Sequence, residues 1–196
     1  VARDKHGYSV AFAGDFDGDG YGDYVIGTPG YDIPPSAHTK LIKDAGLAQV
    51  ISGKDGSVLM SVAGVQAKDA MGYAVAGNAD IDNDGFDDVL IGAPKADNTV
   101  YGLVDSGSVT VLYGPDGDRR QVLYGDQKNA LTGASVALGD INNDDFADIV
   151  YGAPKSDDED RNLADSGSVT VLSGYDYDIL GIFFVATAKA NAGMSV

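Results

Sequence analysis

Three times along these 196 residues the same order of signals returns, and a chain made of repeats must fold as packed copies of one unit. Each unit opens on a glycine and a short apolar segment: Gly7-Tyr8-Ser9-Val10-Ala11, Gly72-Tyr73-Ala74-Val75-Ala76 and Gly133-Ala134-Ser135-Val136-Ala137. An Asp-rich stretch follows, then an apolar run that ends in Gly-x-Pro at Pro29, Pro94 and Pro154. After a variable polar stretch the unit resumes at 46–53, 107–114 and 167–174, and a fourth apolar segment lies near 57–63, 121–124 and 179–186. The opening glycine stands at 7, 72, 133 and 193, which gives units 7–71, 72–132 and 133–192, with 193–196 starting a further one.

A unit of about 60 residues has room for four short strands. No stretch carries an apolar stripe at helical spacing, so no crossover helix links the strands and their pairing is antiparallel. One four-stranded sheet cannot bury both of its faces, so neighbouring units must pack face to face. A β-propeller and a stacked β-solenoid both do this. The antiparallel four-stranded blade is the unit of the propeller, and the expected fold is therefore all-β, with β-propeller blades of four antiparallel strands: three blades plus the first strand of a fourth. Propellers use about four to eight blades, so the chain is expected either to be part of a larger propeller or to close a ring with a second copy. A solution mass at the 20.2 kDa of one chain would exclude the pair.

The Asp-rich stretches share one spacing. Asp15, Asp17, Asp19 and Asp23, then Asp80, Asp82, Asp84 and Asp88, then Asp140, Asn142, Asp144 and Asp148 occupy relative positions 1, 3, 5 and 9. Four carboxylates within nine residues repel one another unless a hard cation neutralises them. Calcium takes six to eight oxygens in loose geometry, whereas zinc asks for Cys and His, and this chain has no Cys and two His. The backbone carbonyls at position 7, on Tyr21, Phe86 and Phe146, would add a ligand to each site. Helical calcium hands end their loop in Glu at position 12, but that position holds Ile26, Ile91 and Tyr151, each inside a strand-like run. The loops are thus expected to be strand-to-strand turns. The third is expected to be the weakest of the three Ca2+ sites, because it has Asn142 at position 3 and Asp145 where the others have Gly20 and Gly85.

Composition agrees with a chain of strands and turns. Of 30 acidic residues only Glu159 is Glu, so the negative charge sits on the residue that favours turns. A net charge of −17 excludes nucleic acid as a partner, and three bound Ca2+ would still leave about −11. The longest apolar run, 179–188, falls far short of the roughly 20 residues of a membrane helix, and it is expected to be a buried strand or strand pair with no membrane insertion. No signal peptide opens the sequence, which is expected of a mature form, a fragment or a cytosolic protein.

The combination of Gly-x-Ser-Val-Ala, the Asp-x-Asp-x-Asp-Gly loop and Gly-Ala-Pro resembles the FG-GAP repeats of integrin α-subunit propellers and their bacterial relatives. The Phe of the family motif is replaced by His6, Met71 and Thr132, and the first Gly-Ala-Pro reads Gly27-Thr28-Pro29. The resemblance implies an extracellular or cell-surface, calcium-stabilised module for ligand binding or cell adhesion. It places a protein or glycan ligand on the loops opposite the metals. Those loops are 30–45, with Pro34, Pro35, His38, Lys40 and Lys43, then 95–106 and 155–166. The lack of Cys and of Asn-x-Ser/Thr acceptors favours a bacterial relative.

The alternative is a propeller domain of a secreted enzyme acting on polysaccharide or lipid. That reading would call for a cluster of His, Arg, Tyr or Glu in the same loops, where only scattered Tyr31, Tyr101 and Arg161 stand. No Gly-x-Ser-x-Gly elbow or Walker sequence is present, and His6 and His38 have no repeated partner, so no catalytic residue is expected. The acidic run 157–160 is expected to be a solvated loop face, and Asp-Ser-Gly-Ser at 105–108 and 165–168 a turn leading into the third strand.

Overall fold

The computed structural model describes residues 4–36, 40–115 and 120–196, and all regular structure among them is β. The first sheet comprises β1 (Ser9–Gly14), β2 (Asp23–Thr28), β3 (Leu47–Ile51) and β4 (Val58–Ala63). The second comprises β5 (Ala74–Ala79), β6 (Asp88–Ala93), β7 (Ser108–Leu112) and β8 (Arg120–Tyr124). The third comprises β9 (Ser135–Gly139), β10 (Asp148–Ala153), β11 (Ser168–Leu172) and β12 (Ile179–Phe184). In each sheet the strands lie in chain order with every neighbour antiparallel, so each sequence unit is one blade. Residues 193–196 form no strand, yet Gly193 repeats the place of Gly72. Ser135 Oγ donates to the Gly193 carbonyl at 2.8 Å, as Ser9 Oγ does to that of Gly72 at 2.8 Å.

Period-two alternation sorts the apolar side chains between two interfaces. Val89, Ile91 and Leu112 of the second blade meet Val25, Ala48, Val50 and Val62 of the first. Leu90, Val109 and Val111 point the other way, towards Val136, Ile149 and Leu172 of the third. Every residue of β6 and β7 is therefore buried. The outer blades keep one open face each: Phe12 on β1 is 77% exposed and Phe183 on β12 is 62% exposed, so the apolar run 179–188 is not the buried strand or strand pair expected but a single strand on an uncovered blade face.

The glycine of Gly-x-Pro is an inter-blade contact. A Cβ on Gly27 would stand 2.0 Å from the carbonyl oxygen of Gly72, one on Gly92 would stand 2.0 Å from that of Gly133, and one on Gly152 would stand 1.9 Å from that of Gly193. Each blade thus seats the opening glycine of the next against a backbone with no side chain. The unit's two fixed glycines are the two sides of one close approach.

One irregularity sets the third unit apart. β1 and β5 each slip register before the Asp-rich loop, between Phe12 and Gly14 and between Gly77 and Ala79, whereas β9 pairs with β10 without a slip. The third loop consequently begins seven residues after its glycine, and the others begin eight.

Candidate metal centres

Each Asp-rich loop joins the first two strands of its blade, as expected of a strand-to-strand turn. Three hydrogen bonds recur in all of them and account for most of the spacing. The position-1 carboxylate accepts the N–H of position 6: Gly20 to Asp15 at 2.9 Å, Gly85 to Asp80 at 2.8 Å, Asp145 to Asp140 at 3.2 Å. The position-5 carboxylate accepts the N–H of position 7: Tyr21 to Asp19 at 2.9 Å, Phe86 to Asp84 at 3.1 Å, Phe146 to Asp144 at 3.0 Å. The position-9 carboxylate, buried in every blade, accepts the N–H of position 2: Phe16 to Asp23 at 2.9 Å, Ile81 to Asp88 at 2.7 Å, Ile141 to Asp148 at 2.8 Å.

The second oxygen of that buried carboxylate reaches the turn between the third and fourth strands. It accepts the N–H of Gly53 at 3.0 Å, of Gly114 at 3.0 Å and of Gly174 at 3.3 Å. Position 9 therefore ties the two turns on this edge of the blade together, a task that local spacing does not reveal. Position 2 is likewise structural. Phe16 and Ile81 are fully buried plugs between successive blades, whereas Ile141, which no following blade covers, is 57% exposed.

Oxygens converge at two of the loops. Asp15, Asp17 and Asp19 bring one carboxylate oxygen each within 4.8 Å of the others, and so do Asp80, Asp82 and Asp88. The first set takes positions 1, 3 and 5, the second positions 1, 3 and 9. Asp15 Oδ1 is buried and has no hydrogen-bond partner, which suits an oxygen reserved for a cation. An all-oxygen donor set of this charge fits Ca2+. In the first loop the ion would be held by Asp15, Asp17 and Asp19, in the second by Asp80, Asp82 and Asp88.

The third loop is closed in on itself. Asp140 Oδ1, the counterpart of that unpartnered oxygen, accepts the N–H groups of Asn143 at 2.6 Å and Asp144 at 3.2 Å, and Asn142 Nδ2 donates to Asp144 at 2.8 Å. In the second loop the matching Asp80 Oδ1 also accepts the Asp84 N–H, at 3.2 Å, so what sets the third loop apart is the added Asn143 N–H and the Asn142 amide donor. Asp145 does adopt the left-handed backbone of Gly20 and Gly85, at φ 71° against 86° and 93°. The turn survives the substitution.

The FG-GAP repeat model matches residues 6–50, 71–112 and 132–172, once in each blade. The chain belongs to the FG-GAP repeat family. Among curated proteins the FG-GAP chain is 33% identical over 175 residues to integrin alpha-5 of Xenopus laevis and 32% identical over 181 residues to integrin alpha-8 of Gallus gallus. Each match covers 86% of this chain and 15% of the relative. Integrin alpha-V of Gallus gallus is 33% identical over 162 residues, 80% of this chain and 14% of its own length. The chain thus spans about 15% of the length of the relatives it matches.

On the opposite edge of the FG-GAP blades, the β2–β3, β6–β7 and β10–β11 connections form small hairpins closed by the bridges Ile33 to Ile42, Asn98 to Leu103 and Asp158 to Leu163. An Asp near the start of each accepts an N–H near its end: Asp44 to Asp32, Asp105 to Asp97 and Asp165 to Asp157, all at 2.8 Å. The acidic run 157–160 is consequently not a purely solvated face. Asp157 staples the hairpin, and Asp158 is buried, accepting the N–H of Arg161 at 3.1 Å and pairing with its guanidinium at 3.2 Å. A run of like charges gave no hint of this, because the partner N–H groups lie up to eight residues away. The 105–108 and 165–168 segments do turn into β7 and β11. His38 lies outside the described residues, and His6 Nδ1 lies 2.8 Å from Thr28 Oγ1 at the entrance to the first blade.

Burial, followed by the charges of Asp82 and Asp80, pushes the Asp88 carboxyl up to about 7. A cation at the second loop would require this group ionised, so protons compete with it. For one proton with that pKa, the apparent Ca2+ affinity of the second loop should fall about tenfold from pH 8 to pH 6. Calorimetric titration at the two pH values measures it, and a pH-independent affinity would remove Asp88 from the ligand set. The sign for the metal-free protein is the reverse: a carboxyl raised by folding makes the fold more stable as pH drops from about 7 towards 4.

Proposed function

We propose that this chain is a calcium-stabilised segment of an extracellular, integrin α-like propeller that binds a protein or glycan partner and has no catalytic role. The observation that carries the reading is the contrast between the two edges of the blades. One edge repeats the same metal-loop hydrogen bonds three times. The other presents hairpins of unlike sequence on a common staple, which is where a rigid scaffold places recognition. Ca2+ would be structural, held by carboxylates at positions 1, 3, 5 and 9 with the position-7 carbonyl, and weakest in the third loop. The open apolar faces of the outer blades have the chemistry of the two buried interfaces, which supports further blades as neighbours, whether from a longer chain or from a second copy.

Binding to protein and glycan arrays tests the function. The calcium-loaded protein should give signals that EDTA removes and that Tyr101→Ser and Lys43→Ser, on two of the hairpins, reduce. Turnover of a polysaccharide panel without any array signal would reverse the conclusion in favour of an enzyme.

A further inference from the structure

By sequence Asp87 belongs to the second loop, between Phe86 and Asp88, but its carboxylate acts on the first. Asp87 Oδ2 accepts the N–H of Asp15 at 2.9 Å, across the junction between blades. Room for it comes from Gly14, where a Cβ would stand 2.1 Å from that same oxygen. Beside it the Phe86 ring lies over Gly18, close enough that a Cβ there would be 2.3 Å from the ring. The next junction is built differently. Ala147 takes the place of Asp87 and Ala79 that of Gly14, and the contact is a backbone bond from the Ala147 N–H to the Asp80 carbonyl at 3.1 Å. Gly14 with Asp87 and Ala79 with Ala147 are two complementary fillings of one place.

We propose that Asp87 is a positioning residue for the first metal loop, and that metal held by the second loop tightens the first through it. The inference rests on the calcium reading of both loops. Loading the second loop fixes the backbone on each side of Asp87, because Asp88 is a ligand there and the Phe86 N–H is bonded to Asp84 at 3.1 Å. A fixed Asp87 holds the Asp15 N–H, and with it the orientation of Asp15 Oδ1, the buried oxygen that has no hydrogen-bond partner. Ordering the ligand before the metal arrives lowers the entropy cost of binding. By linkage, metal in the first loop tightens the second by the same factor.

Terbium serves as the calcium probe, since the chain has no Trp and Tyr21 sits inside the first loop. The emission lost in Tyr21→Phe defines the first-loop component, and calorimetry follows the second loop. Asp87→Ala should raise the first-loop midpoint about tenfold while leaving second-loop affinity in the absence of first-loop metal within twofold. Asp87→Asn, which keeps an acceptor oxygen, should recover most of the loss. Asp82→Ala, which removes a ligand of the second loop, should also raise the first-loop midpoint, and should add nothing in the Asp87→Ala background. An equal shift at the second loop when it is measured without first-loop metal, or an unmoved first loop, would overturn the clamp while leaving the calcium reading intact. Wild-type protein with no terbium or Ca2+ binding at all would overturn both. Circular dichroism at saturating Ca2+ confirms that each variant is folded.

Discussion

EDTA should lower the melting temperature of this protein by about 10 °C relative to saturating Ca2+. A site held at ten times its dissociation constant adds about 1.4 kcal/mol to folding, so three sites contribute about 4 kcal/mol. In a domain of this size each kcal/mol moves the midpoint by about 2–4 °C. The effect should be specific. Mg2+ demands tight octahedral geometry and gives up its waters reluctantly, so it should restore little of the loss at equal concentration. Filling should be staggered, with the third loop last, because Asn142 and the N–H groups of Asn143 and Asp144 already engage oxygens of Asp144 and Asp140. Calorimetry during the titration resolves the order. A midpoint indifferent to chelator would mean that the repeated carboxylates serve only as hydrogen-bond acceptors in the turns.

Gly92→Ala should destabilise the protein by about 3–5 kcal/mol. The new Cβ would meet the Gly133 carbonyl oxygen at 2.0 Å and its carbon at 3.0 Å. Both are backbone atoms and cannot swing aside. Relief would require the second and third blades to separate, which opens the cluster of Leu90, Val109, Val111 and Ile149 between them. Gly22→Ala is the control: nothing lies within 4 Å of a Cβ there and its φ is not in the left-handed region, so its cost should stay within about 0.5 kcal/mol. Urea denaturation of the two variants in saturating Ca2+ gives the comparison. Similar midpoints would show that the blades are not seated as close as the glycine pair requires.

Much of this was legible in the residues. Repeated glycines, Gly-x-Pro and four apolar segments in about 60 residues gave the four-stranded antiparallel blade in chain order, because hydrophobic alternation and turn chemistry are local properties. The strand-to-strand placement of the Asp-rich loops was legible for the same reason. Less of the site was. The spacing treats positions 1, 3, 5 and 9 as equivalent carboxylates, yet Asp23, Asp88 and Asp148 each bridge to a glycine 26 to 30 residues further on. The mixed run around Asp157 looked like surface charge, and the structure turns it into a hairpin staple and a buried ion pair.

The sequence by itself determined the unit, its strands and the oxygen chemistry of its loops, since each depends on residues within a dozen positions of one another. Tertiary structure alone decided which blade each loop serves. Phe16 and Ile81 anchor their loops only because a neighbouring blade covers them, and Ile141, of identical pattern, is left exposed. Asp87 reaches Asp15 across 72 residues because packing two sheets face to face brings a carboxylate opposite a glycine, and no local period records which residues such packing will oppose.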